Sequence, residues 1–151
     1  MAMVRMSAEA SSSDDQRSAD LTEVLQEVVA LVRPTSRQRG VRIDIDEYDE
    51  ECAVALSPVM VRKILAQVLH ALCAGLEKGE SVTASVIPGA GVAFRPSTEV
   101  AKGRRRDDWR ASALGLWVAR QLLAQAGGML EEPETNGSPA WRVLFPRGSE
   151  A

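Results

Sequence analysis

Few side chains in this sequence could take part in chemistry. His70 is the only histidine, and Cys52 and Cys73 are the only cysteines. A lone imidazole could accept a phosphoryl group or supply one metal ligand, but it cannot build a site of several histidines. Two cysteines are too few for a disulfide framework or a cysteine-based zinc site. Cys73 lies on an apolar helical face, so we expect it to be a small buried hydrophobe.

A second candidate is the basic run KGRRRDDWR over residues 102–110. It could dock an acidic protein partner or grip a phosphate group. The residues that would make these contacts are Arg104, Arg105, Arg106 and Trp109. The alternative is a solvated loop, because two aspartates within the run neutralise part of its charge. The whole chain carries a net charge of −3, so we expect no nucleic-acid partner.

The third candidate is the stretch SALGLWVARQLLAQAGGML over residues 112–130. We interpret it as a tight turn, an amphipathic helix that ends at Gly127 and Gly128, and the start of a strand. The backbone amides at the start of such a helix could attract an anion through the local dipole.

Length and composition limit the protein class. The 151 residues suit one domain, and 45% hydrophobic residues with only 4% aromatic residues indicate an aliphatic core. No run approaches the about 20 apolar residues of a membrane span. The N-terminus has no apolar signal core, so we expect a cytoplasmic location. We predict a disordered tail over residues 1–19, a domain over 20–147 and a short tail over 148–151.

The hydrophobic pattern predicts three helices and six strands in the order α-β-β-α-β-β-α-β-β. Asp20 and Ser57 are predicted N-caps, and Pro34 is expected to bend or end the first helix. An irregular loop over 96–110 is predicted to precede the third helix, over 111–126. Strands are predicted over 41–46, 52–56, 82–86, 92–94, 129–132 and 141–145. This order favours a two-layer α/β sandwich with one mixed sheet and three helices on one face.

Several segments, in this order, resemble the ATP-binding domain of sensor histidine kinases, a member of the GHKL (Bergerat-fold) superfamily. The likeness runs from about residue 20 to residue 146 and implies the fold of that domain. The segments are Asp20-Leu21, Arg39-Gly40-Val41, the helix RKILAQVL over 62–69, Leu114-Gly115-Leu116, Gly127-Gly128 and Val143-Leu144-Phe145-Pro146.

The resemblance implies that the magnesium site of the family is absent here. In the family, the second helix carries Asn-x-x-x-Asn-Ala, and its second asparagine holds the Mg²⁺ that bridges the phosphates. Alignment of that helix places Ala71 and Gly75 at the two asparagine positions. Neither a methyl group nor a hydrogen atom can replace the oxygen ligands that Mg²⁺ requires.

The other two family motifs are altered as well. Where the family has Asp-x-Gly-x-Gly, whose aspartate binds the adenine amino group, the strand phase places Pro96, Thr98 and Val100. Where the family has Gly-x-Gly-Leu-Gly-Leu around the phosphates, Ala111 and Ala113 replace two glycines. Only Gly115 remains of those three glycines, which impedes close approach of a phosphate to the backbone.

These substitutions lead us to expect no binding of ATP or Mg²⁺ and no enzymatic activity. We interpret the chain as a stand-alone, degenerate histidine-kinase-type ATPase domain, a pseudo-ATPase that acts as a protein-interaction module in bacterial two-component-type signalling. The resemblance implies a partner such as a response regulator or a kinase. Two alternatives are a residual ATP-binding kinase-like protein and an anti-sigma-factor-like regulator.

Three side chains near these motifs, those of His70, Trp117 and Trp109, have functional or structural interpretations. His70, beside the predicted magnesium position, could be a phosphoacceptor or a stand-in ligand. We favour a helix histidine that lines or covers the former pocket, because no carboxylate pairs with it in the sequence. The helical spacing of Trp117 with Leu114 and Val118 predicts a core tryptophan. Trp109, in the predicted loop, is expected to be exposed or to face a partner.

Overall fold

A computed structural model describes residues 18–46, 52–97, 106–133 and 140–146, with only the backbone described for 106–112. Most of the two predicted tails therefore lies outside the described residues. The elements are β1 Ala19–Asp20, α1 Leu21–Gln38, β2 Arg42–Ile45, β3 Ala53–Val54, α2 Pro58–Ala74, β4 Ser81–Ile87, β5 Gly91–Pro96, α3 Arg106–Ala126, β6 Met129–Glu131 and β7 Trp141–Leu144.

Five strands form one mixed sheet in the order β2-β4-β5-β7-β6. β2 runs parallel to β4, and all the other neighbours are antiparallel. This confirms the predicted α/β fold with a mixed sheet. The predicted strand over 52–56 is not part of this sheet, because β3 pairs with β1 in a separate two-stranded sheet. Ala19 was assigned to the tail, but it pairs with Val54 and is only 3% exposed.

The helix ends follow from side chains that the sequence places there. The Asp20 carboxylate accepts a hydrogen bond from the Thr22 N–H at 3.1 Å, and the Ser57 hydroxyl accepts one from the Met60 N–H at 3.3 Å. Both predicted N-caps are thereby confirmed. Pro34 does not end α1, which continues to its terminus one turn further on.

The helices pack side by side, with α2 in contact with both α1 and α3. The Arg39 guanidinium donates to the carbonyl oxygens of Ala74 and Leu76 at 3.0 and 3.2 Å, while Arg62 pairs with Glu27 at 3.1 Å. The contacting residues are 35 positions apart in the sequence both for Glu27 with Arg62 and for Arg39 with Ala74, so α1 and α2 run parallel. No helix within the described ranges is long and apolar enough to cross a membrane.

The core lies between the helical layer and one face of the sheet. Along β4 and β5 the buried residues alternate with more exposed ones, as a half-covered sheet requires. The buried residues of these two strands that face the helices are Val82, Ala84, Val92 and Phe94. Aliphatic side chains from all three helices complete the core, in agreement with the composition.

Candidate functional site

Helices α2 and α3 make close contact at Ala71 and Gly115. A Cβ atom placed on Gly115 would lie 2.7 Å from the Cβ of Ala71 and 3.3 Å from Nε2 of Gln67. Any residue other than glycine at position 115 would therefore force the two helices apart. Ala71 is 2% exposed, and Gly115 is buried. We call this contact, made by Gln67, Ala71 and Gly115, the α2–α3 seam.

The seam joins residues from two of the three altered motifs. Ala71 stands at the first asparagine position of the predicted magnesium motif, and Gly115 is the glycine retained from the predicted phosphate-binding turn. Gly75, at the position of the asparagine that holds Mg²⁺ in the family, is buried at the C-terminal end of α2, where its N–H donates to the Leu72 carbonyl at 3.0 Å. Among the described residues, no group of histidine, cysteine, aspartate or glutamate side chains could hold a metal ion.

The backbone before Gly115 differs from the prediction. We predicted a tight turn followed by a helix from residue 111, but α3 already begins at Arg106. Ala111 and Ala113 therefore lie inside a helix, where amides bond to carbonyl oxygens four residues earlier. The predicted anion-attracting helix start at this position is wrong. Alanine has the highest helix propensity and glycine one of the lowest, so these substitutions favour the continuous helix.

The structure places Pro96 where the strand phase predicted it. Pro96 ends β5 opposite Val82, and it shares its sheet face with the buried Phe94. The next residue, Ser97, donates its N–H to the Ser81 carbonyl at 2.7 Å and accepts the Ser81 N–H on its hydroxyl at 2.9 Å. The chain is thus fastened to β4 directly after β5. Thr98 lies outside the described residues.

The basic run is divided by the start of α3. Arg104 and Arg105 lie outside the described residues, whereas Arg106 and Trp109 belong to the first turns of α3. The predicted loop over 96–110 is therefore too long at its C-terminal end. The sequence is compatible with this earlier start, because Arg106 is followed by two aspartates and acidic residues are favoured in the first turn of a helix.

His70 is exposed on α2. It precedes Ala71, so the 100° turn between successive helical residues directs it away from the α2–α3 seam. His70 therefore does not line the α2–α3 seam. Our interpretation that it lines or covers the former pocket is wrong as regards lining, whereas covering stays a prediction.

Trp117 corrects the predicted core. Its side chain is 58% exposed, and that of Leu114 is 63% exposed, whereas Leu116, Ala119 and Leu123 are buried. Leu116 and Leu123 stand seven residues apart on one stripe, and Trp117 lies one residue out of phase with them. The outer face of α3 therefore carries two large apolar side chains, which the sequence pattern did not indicate.

Both cysteines are buried, as predicted for Cys73. Burial raises the pKa of the Cys73 thiol to about 12, and the nearby Arg39 guanidinium opposes this only in part. A thiol that stays protonated is neither a nucleophile nor a metal ligand at neutral pH. Cys52 has a structural contact, since the Gly89 N–H donates to its sulfur at 3.0 Å.

Comparison with known proteins identifies the fold. Neither protein-family models nor curated protein sequences give a match. Solved structures do: the cytoplasmic segment of histidine kinase QseC is 14% identical with a TM-score of 0.58, covering 85% of this chain and 76% of that one. The catalytic domain of histidine kinase ThkA is 13% identical with a TM-score of 0.57, covering 86% and 95%.

A histidine kinase from Burkholderia phymatum is also similar, at 13% identity and a TM-score of 0.60, with 95% of this chain and 75% of that one covered. The match to an isolated catalytic domain over nearly its whole length defines the fold of this chain as that of a histidine-kinase ATPase domain. The fold predicted from the resemblance is thereby confirmed.

Proposed function

We propose that this chain is a degenerate histidine-kinase-type ATPase domain that no longer binds Mg-ATP and acts as a protein-interaction module in bacterial two-component-type signalling. The observation that carries the proposal is the α2–α3 seam. In the family that the sequence resembles, these two motifs hold the metal ion and the phosphates. Here a Cβ on Gly115 would lie 2.7 Å from the Cβ of Ala71, so the retained glycine packs against α2 at the first asparagine position, and Gly75, at the magnesium position, has no side chain.

The chemistry of the positions supports the same conclusion. A triphosphate with Mg²⁺ requires oxygen ligands for the metal and donors for the phosphates. Ala71 and Gly75 offer no oxygen from a side chain, and the amides of residues 111–116 lie within α3. Pro96 supplies neither a carboxylate for adenine nor a backbone N–H. Each of the three contributions to nucleotide binding is therefore missing.

The fold does not require a nucleotide for its stability. The aliphatic core is closed by α2 and α3, so the domain can present its surface in one state without a ligand. The arginines at 104, 105 and 106 suit an acidic partner surface, because guanidinium groups form charge-assisted pairs with carboxylates. We propose a response regulator or a kinase as the partner class.

Titration calorimetry with Mg-ATP and Mg-ADP, at concentrations up to the millimolar range, tests the loss of nucleotide binding. We expect no heat of binding and no rise in melting temperature, since a ligand stabilises only a state that binds it. Mg²⁺ alone and ATP with a chelator serve as controls that separate the two components. Micromolar binding would overturn the proposal and favour the residual kinase-like alternative.

Partner docking requires a second experiment. The triple change of Arg104, Arg105 and Arg106 to Ala is compared, in affinity capture with quantitative mass spectrometry, with a control that removes the same charge. The control changes the exposed Arg37, Arg42 and Arg95 to Ala. Loss of the captured response regulator or kinase only in the first variant is expected. Equal capture by both variants would contradict docking through the basic run.

A further inference from the structure

Over its last four turns α3 has one partly exposed charged side chain, that of Arg120, which is 41% exposed and takes part in an ion pair. Between residues 113 and 126 the only charged residue is Arg120, and its guanidinium pairs with Glu132 at 2.9 Å. The exposed residues of this segment are Leu114, Trp117, Gln121, Ala124 and Gln125. In a chain with 26% charged residues, a helix that faced only water would carry charges here.

Four of these residues follow the spacing of a coiled-coil contact line. The intervals from Leu114 to Trp117, to Gln121 and to Ala124 are three, four and three residues, which keeps them in line for a partner helix. We call these four residues the α3 outer line. Its large side chains stand at the N-terminal end, and its smaller ones stand towards the C-terminal end.

We propose that a second copy of this chain packs its own α3 outer line against this one in antiparallel orientation. Leu114 then lies opposite the second copy's Ala124, and Trp117 lies opposite its Gln121. Each large side chain meets a smaller one, and the two-fold axis repeats both contacts. A parallel pair would instead place tryptophan against tryptophan and align the two helix dipoles unfavourably.

The lack of charge along the line also favours a second copy, and its small size limits the strength of the contact. Because the line is uncharged, neither copy buries an unpaired ion, and a strongly charged partner would gain nothing from it. The line is about 15 Å long, from the helical rise of about 1.5 Å per residue. Its four residues are far fewer than the about 20–30 residues that each partner contributes to a standard interface, so we expect reversible self-association.

Sedimentation equilibrium of the full chain, from about 10 µM to about 500 µM, tests the association in the range expected for a small interface. The average mass should rise with concentration from 16.3 kDa towards twice that value. Trp117→Glu should weaken the association at least about tenfold. Leu31→Glu, at a 64% exposed leucine on α1, should leave it unchanged, with circular dichroism confirming that both variants fold.

A chain that stays at the monomer mass at every concentration would overturn the proposal, as would equal weakening by the Leu31 control. Oxidative cross-linking then tests the orientation. The double variant Leu114→Cys with Ala124→Cys should form a disulfide-linked dimer. Leu114→Cys alone should not, because its two copies would be offset by about 15 Å along the helices. Efficient cross-linking of this single variant would refute the antiparallel arrangement.

Discussion

Replacing Gly115 with alanine measures the α2–α3 seam directly. The new Cβ atom would lie 2.7 Å from the Cβ of Ala71, and overpacking of this kind costs about 1–3 kcal/mol. The change also gains about 1 kcal/mol, since alanine replaces a glycine inside a helix. We therefore expect Gly115→Ala to lower the free energy of unfolding by about 0–2 kcal/mol in total, from these two opposing contributions.

The steric part is isolated by a second change. Ala71→Gly alone costs about 1 kcal/mol of helix propensity. In the double variant the methyl group moves from α2 to α3, so the steric conflict disappears. We expect a favourable coupling energy of about 1–3 kcal/mol between the two changes. The assay is urea unfolding followed by far-ultraviolet circular dichroism, with free energies obtained by linear extrapolation.

Ala124→Gly is the matched control for this cycle. It removes a methyl group from an exposed position of α3, so it has a similar propensity cost but no contact with α2. Its coupling with Gly115→Ala should be close to zero. A coupling below about 0.5 kcal/mol for the Ala71 pair, indistinguishable from this control, would refute the close approach of the two helices.

Two further predictions concern the end of α2. Burial raises the pKa of the Cys73 thiol from 9.0 to about 12, so above about pH 9 the unfolded thiol loses its proton while the native one keeps it. The free energy of unfolding should therefore fall as the pH rises from about 9 to about 11, and Cys73→Ala should make that fall shallower in urea titrations. Arg39→Met removes the guanidinium that donates hydrogen bonds to two carbonyl oxygens at this end of α2. It should lower the free energy of unfolding by about 1–3 kcal/mol in the same urea assay. An unchanged urea midpoint would show that these hydrogen bonds do not contribute to stability.

Local signals in the sequence predicted most of the fold. Asp20 and Ser57 cap helices through hydrogen bonds to amides two and three residues away, so their effect is visible in a short window. The pairing of Ala19 with Val54 was not predictable in this way. A strand pattern specifies which face is buried, but the partner of a two-residue strand depends on contacts distant in sequence.

The site was predictable only where the family resemblance supplied an alignment. It placed Ala71 and Gly115 in one pocket, and the structure brings them into contact. It also carried over a turn before the third helix, although Ala111 and Ala113 favour a helix. The prediction that Trp117 lies in the core failed for another reason. A shift of one residue rotates a helical position by about 100°, and α3 has apolar residues both on its buried stripe and one residue away from it, so the sequence pattern did not specify which set is buried.

The two faces of α3 make the proposals separable by experiment. Gly115 faces α2 inside the domain, whereas Trp117 stands two residues further along, about 200° around the helix axis, and faces outwards. A methyl group at Gly115 should therefore change the free energy of unfolding without reaching the α3 outer line, provided that the helix keeps its position. Glutamate at Trp117 should change the self-association without touching the seam. If Trp117→Glu lowered the free energy of unfolding of the monomer as much as Gly115→Ala does, the two faces of α3 would not be independent. The α2–α3 seam and the α3 outer line could then not be treated as distinct features.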